Sequence, residues 1–295
     1  VSADALARAA AGAHGLLCLL TDRVDVALLE RCPRLRVVSS YSVGLDHVDL
    51  AAATARGVAV GHTPGVLTET TADLAFALLL AAARRVAEAD RFVRGGGWTA
   101  QRRWEPELLL GRDLHGATLG IVGLGAIGRA VARRAQGFGM EVLGWSRGPR
   151  EVPGVERVAL PELLERSALV SLHVALAPET RGLVGRAELA RMPAGSVLVN
   201  TARGGIVDEQ ALAEALRSGH LHAAGLDVFA EEPLPADSPL RELPNVVLAP
   251  HVGSATVATR ERMAERAVAN LLAGLAGERL PWCANPEVYE RRGRR

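Results

Sequence analysis

The sequence predicts an α/β protein built on a Rossmann-type, doubly wound parallel sheet. Three features carry this expectation: short β-branched and aliphatic runs, helical apolar stripes between them, and one glycine-rich turn joining a strand run to a helix run. In chain order, Ser2 is placed to cap a helix over residues 2–11. Strand runs then fall at residues 16–20, 37–41, 119–122, 142–145, 169–174, 197–200, 224–228 and 246–249. Most are largely apolar rather than alternating, as strands covered on both faces require. Ala75, Leu78, Leu79 and Ala82 share one stripe of a long helix that starts near Thr70. Leu212, Ala215 and Leu216 share another, which Gly219 ends. The segment 95–116 breaks this rhythm with three consecutive glycines, Trp98, Trp104 and many charges. It reads as a long excursion loop, functional or an oligomer contact.

The chain has 295 residues, enough for two domains. Basic and acidic residues nearly cancel, 34 against 33, so there is no basic footprint for nucleic acid and no polybasic face for a membrane. Every basic side chain other than histidine is Arg, which excludes a Schiff-base or phosphate-loop lysine. The longest apolar run, residues 74–83, is about half of what crosses a bilayer. No signal-peptide pattern occurs, so a cytoplasmic protein is expected. Cys18, Cys32 and Cys283 lack metal-like spacing and read as small hydrophobes. The chain begins at Val1, which suggests residues upstream.

The stretch 118–132 carries Gly123, Gly125 and Gly128 as G-x-G-x-x-G between a strand run and a helix with Ile127, Val131 and Ala135 on one side. The first glycine permits the tight turn, the second lets backbone approach a pyrophosphate, and the third lets helix and strand pack closely. Gly123, Gly125, Ala126, Ile127 and Gly128 are therefore expected to bind a dinucleotide at the helix N-terminus. An NAD site places Asp or Glu after the next strand to hold the ribose 2′-hydroxyl. Here that position reads Ser146, Arg147, Gly148, Pro149, Arg150, with a hydroxyl and two arginines in place of the acid. Ser146, Arg147 and Arg150 thus point to a 2′-phosphate. NADP is the preferred cofactor, with NAD possible.

Three polar residues follow apolar strands, where open α/β sheets bind ligands: Arg203, Glu232 and His251. The segments around them, together with residues 42–47, the glycine motif and residues 250–254, resemble the D-isomer-specific 2-hydroxyacid dehydrogenases, most closely the glyoxylate/hydroxypyruvate reductases. The resemblance spans nearly the whole chain in family order. It implies that Arg203, Glu232 and His251 are catalytic. It implies that Val43 and Gly44 form a carboxylate-binding turn, with Arg203, His251 and Ser254 at the substrate, and that Thr201, Asp227 and Gly253 contact the cofactor. The chemistry supports these residue types. Imidazole can donate a proton near neutral pH, a carboxylate beside it favours imidazolium, and a guanidinium can polarise a keto oxygen or grip a carboxylate. No metal is needed, and His47, His62 and His173 read as structural.

The resemblance also implies a smaller flavodoxin-like substrate domain, residues 1–65 completed by 253–295, and a dinucleotide domain, residues 66–252, with the site in the cleft between. This smaller domain lacks the family's opening βα unit and is expected to be truncated at its N-terminus. Reductases of this type carry a loop tryptophan that reaches the partner subunit's site. Trp104 is the better match and Trp98 the alternative. The loop and the helix after Thr70 are expected to build a homodimer interface. The expected activity is NADPH-dependent reduction of glyoxylate or hydroxypyruvate. Alternatives are another dehydrogenase of the family, such as phosphoglycerate dehydrogenase, or a nucleotide-sensing corepressor-like protein.

Overall fold

The computed structural model describes residues 2–148 and 151–292, in two compact units, Val1–Leu67 with Ser254–Arg295, and Thr68–Gly253. In chain order the first unit opens with α1 (Ala3–Ala10), β1 (Gly15–Cys18), α2 (Val26–Arg31), β2 (Val37–Ser40), α3 (Leu50–Ala55) and β3 (Ala59–Gly61). The second unit holds α4 (Thr68–Ala83), α5 (Val86–Arg94), β4 (Thr118–Val122), α6 (Ala126–Gly137), β5 (Glu141–Trp145), β6 (Glu156–Arg157) and α7 (Leu160–Arg166). It continues with β7 (Leu169–Leu172), α8 (Arg186–Arg191), β8 (Ser196–Asn200), α9 (Glu209–Arg217), β9 (Leu221–Leu226) and β10 (Val246–Leu248). The chain then returns to the first unit with α10 (Val257–Ala276) and α11 (Val288–Arg292).

In the first unit three parallel strands lie in the order β1-β2-β3. Ser2 caps α1 by accepting the Ala5 N–H, and Asp25 and Asp49 cap α2 and α3 in the same way. Helix α10 packs tightly on β2. A Cβ at Gly274 would lie 2.5 Å from Val37, and the Ser39 hydroxyl donates to the Ala267 carbonyl at 2.7 Å. Buried Asn285 ties the returning segment to this unit by accepting the Val60 N–H and donating to Thr54 Oγ1 and the Val58 carbonyl.

The second unit is a seven-stranded sheet, β10-β9-β8-β7-β4-β5-β6, parallel at every pairing. Its two faces are both dry because alternate residues feed two cores. Leu169, Val197 and Val199 pack with α4 and α6, while Val170, Leu172 and Leu198 pack with α7, α8 and α9. This two-sided burial explains the continuously apolar strands. Gly225 admits α4, since a Cβ there would lie 2.9 Å from Leu78 Cβ. The strand order reverses between β4 and β7, and the carboxyl ends of these strands form the crevice typical of ligand binding in such sheets.

Two strands have no counterpart in the expected runs. β3 is three residues long, and β6 is two charged residues that form a strand only by pairing with β5. The segment 95–116 contains no helix or strand. Among the described residues no helix is long and apolar enough to cross a membrane.

Candidate active site

The glycine motif forms the turn from β4 into α6. Gly123 has φ 109°, and a Cβ there would lie 2.6 Å from the His173 carbonyl carbon. A Cβ at Gly128 would lie 2.0 Å from the Gly123 carbonyl oxygen. Both positions exclude any side chain through contact with backbone. Gly125 meets nothing within 4 Å, and as the N-cap of α6 it offers no side-chain cap. The first N–H groups of α6, beginning at Ala126 and Ile127, are thus left for an anion. At the end of β8 the Thr201 hydroxyl is buried with no hydrogen-bond partner. An uncapped helix start behind open space and an orphaned buried hydroxyl fit a dinucleotide.

His173, beneath this turn, is partly buried, and desolvation pushes its pKa down to about 4. Its Nε2 meets the Ser171 hydroxyl at 2.8 Å. It is therefore a neutral packing residue at physiological pH. Among the described residues no cluster of His, Cys, Asp and Glu is arranged to hold a metal ion.

Ser146 and Arg147 occupy the turn after β5, while Arg150 lies outside the described residues. The Ser146 hydroxyl donates to the Gly148 carbonyl at 2.9 Å. Arg147 is exposed and lies 3.7 Å from Glu179, a loose pair in solvent.

The Arg203, Glu232 and His251 segments converge through backbone. Buried Asn200 folds the turn after β8 by accepting the Ala202 N–H and donating to the Arg203 carbonyl. Arg203 Nη1 donates to the Ala202 carbonyl at 2.7 Å. The next residue, Gly204, is seated on the Phe229–Ala230 peptide, where a Cβ would lie 1.8 Å from the Phe229 carbonyl carbon. Glu232 Oε1 accepts the Phe229 N–H at 3.0 Å, and its Oε2 meets His251 Nδ1 at 2.7 Å. Burial pushes the Glu232 carboxyl up. The His251 hydrogen bond, the Phe229 N–H and the His251 and Arg203 charges outweigh this and hold it below its usual range. Glu232 is consequently ionised at neutral pH and accepts from Nδ1–H, which leaves His251 Nε2 to handle a proton.

Asp227, read in the sequence as a cofactor contact, has both carboxylate oxygens engaged within the protein. Oδ1 accepts the Val252 N–H at 2.7 Å and Oδ2 the Gly253 N–H at 2.8 Å, while its carbonyl accepts the His251 N–H. Burial raises its carboxyl above the usual range against the pull of these donors and of His251. His251 has φ 55°, a left-handed conformation that strains a residue with a Cβ, and these three bonds hold it there. Glu209 acts similarly on the neighbouring loop, accepting the Ala230 N–H at 2.6 Å. Glu209 did not stand out in the sequence, because its role is defined by a backbone group twenty-one positions away that only the fold brings close. Val43, Gly44 and Ser254 belong to the first unit, where the Val43 carbonyl meets His62 Nδ1 at 3.2 Å. In the loop, Trp98 Nε1 donates to the Arg103 carbonyl, whereas Trp104 is 80% exposed.

The family model of the D-isomer-specific 2-hydroxyacid dehydrogenase NAD-binding domain matches residues 76–253. The chain is 54% identical over 279 residues to a glyoxylate reductase of Korarchaeum cryptofilum, covering 93% of this chain and 83% of the relative. It is 50% identical over 278 residues to a glyoxylate reductase of Thermococcus litoralis, covering 92% and 84%. A solved structure from Sinorhizobium meliloti, an NADPH-dependent glyoxylate/hydroxypyruvate reductase in complex with NADP and malonate, matches with TM-score 0.86 at 36% identity over 97% of this chain and 87% of that one. On its glycine turn, its parallel sheet and these matches, the chain belongs to the D-isomer-specific 2-hydroxyacid dehydrogenases.

Proposed function

We propose that the protein reduces small 2-keto acids, glyoxylate and hydroxypyruvate, to D-2-hydroxy acids with NADPH. The single observation that carries the reading is the 2.7 Å pair of His251 Nδ1 with ionised Glu232, next to the turn that bears Arg203. Reduced nicotinamide, when bound, supplies the hydride. His251 Nε2 donates the proton to the substrate oxygen, and Glu232 stabilises the imidazolium and fixes the ring. Arg203 carries a permanent charge for the keto oxygen or the carboxylate. Carboxylate binding is assigned to the Val43 and Gly44 backbone N–H groups and Ser254. The glycine turn, the α6 start and Thr201 hold the dinucleotide, and Asp227 with Gly253 positions the His251 loop.

The preference for NADPH rests on Ser146 and Arg147 after β5, where the sequence holds no carboxylate from 146 to 150. A charge-assisted hydrogen bond to the 2′-phosphate favours NADPH by about 10- to 100-fold in kcat/KM. Initial rates with glyoxylate and each cofactor test this. The double substitution Ser146→Asp with Arg147→Ala should reverse the preference. A parent protein that prefers NADH would overturn the cofactor assignment and leave the reaction in place.

A homodimer through the excursion loop and the helix after Thr70 is supported by Trp98, Trp104 and Leu110, large apolar side chains that the loop leaves exposed. Sedimentation at micromolar concentration should show a dimer, and a stable monomer would overturn it.

A further inference from the structure

We propose that Arg157 is a second determinant of cofactor choice, a guanidinium fixed on the turn after β5 that recognises the 2′-phosphate. This rests on the NADPH reading above. Arg157 is eleven positions from Ser146 in sequence, but the register of β5 with β6 sets it opposite Gly144. From there its Nη2 donates to the Gly148 carbonyl at 3.2 Å and, at the limit of a hydrogen bond, to the Ser146 carbonyl at 3.5 Å. The Ser146 hydroxyl donates to the same Gly148 carbonyl. The two side chains therefore converge on one backbone oxygen at the ribose end of the nucleotide domain.

The surrounding charges favour Arg157 over Arg147. Its strand neighbour Glu156 is engaged by Arg166, with both oxygens bonded at 2.8 and 2.9 Å. No carboxylate pairs with Arg157 among the described residues. Arg147 instead faces Glu179 at 3.7 Å, with both side chains more than half exposed. To meet a phosphate, Arg147 must leave an acid whose charge also repels the ligand. Arg157 is already ordered by the turn, so it loses less freedom on binding. With Nη2 on the carbonyls, Nη1 and Nε remain free to donate to phosphate oxygens.

The test is calorimetric titration of adenosine 2′,5′-bisphosphate and adenosine 5′-monophosphate into the full chain. The parent should bind the 2′-phosphorylated probe more tightly. Arg157→Ala should weaken that probe by about tenfold and move 5′-monophosphate by less than about twofold. The salt dependence of the first should flatten as one charge contact is lost. Arg157→Lys should recover part of the loss, and Arg147→Ala should lose less than Arg157→Ala. If Arg157→Ala binds both probes like the parent, or loses both equally because the turn has collapsed, recognition by Arg157 is overturned while the NADPH reading stands. If the parent itself does not distinguish the probes, the NADPH reading falls and this inference falls with it.

Discussion

Replacing His251 by Ala is expected to lower kcat for glyoxylate reduction by about 10²- to 10⁴-fold, the usual worth of a general acid. NADPH affinity should stay at the parent level, because the glycine turn and Thr201 are untouched. The effect is large because the ring that would deliver the proton is held in place by a charge-assisted bond to Glu232 at 2.7 Å. His251 occupies a left-handed conformation, so Ala keeps the backbone strain without the ring. Asn tolerates that conformation and cannot act as an acid, so His251→Asn separates chemistry from folding. Single-turnover rates and fluorescence titration of NADPH measure the two halves. Near-parent turnover in both variants would remove His251 from the mechanism.

The second large effect is expected from a single methyl group. Gly204→Ala places a Cβ 1.8 Å from the Phe229 carbonyl carbon and 2.2 Å from the Ala230 nitrogen. Both are backbone atoms, so neither can rotate away. The Arg203 turn and the loop leading to Glu232 must separate. A displacement on the order of 1 Å in an active site lowers kcat/KM by about 10²-fold, and forced overpacking costs about 1–3 kcal/mol of stability. Steady-state kinetics and thermal unfolding of the same variant report both. Gly12→Ala is the control, since its Cβ meets nothing within 4 Å. If Gly204→Ala keeps the parent kcat/KM, the contact between the two loops does not position Arg203 and Glu232.

The fold class was legible because its signals are local. Both faces of the second sheet are covered, so 119–122 and 197–199 read as continuous apolar runs, and the glycines of the turn announce backbone contacts that no side chain survives. Strands β3 and β6 were not legible. Three residues carry no period, and Glu156–Arg157 is polar at both positions, so each becomes a strand only when a partner supplies its hydrogen bonds.

The sequence by itself determined the chemistry available to this protein: a glycine turn at Gly123–Gly128, an imidazole at His251, a permanent cation at Arg203 and no lysine. Only the tertiary structure decided which groups meet. It brought Glu232 to His251 across nineteen positions and gave both oxygens of Asp227 to Val252 and Gly253. It also seated Gly204 on the Phe229 carbonyl and turned Arg157 onto the carbonyls of the β5 turn. The physical reason is one of range. A residue type and its near neighbours fix charge, acidity and backbone freedom. A hydrogen bond needs its partner within about 3 Å, and strand register and loop packing set that distance, not spacing along the chain.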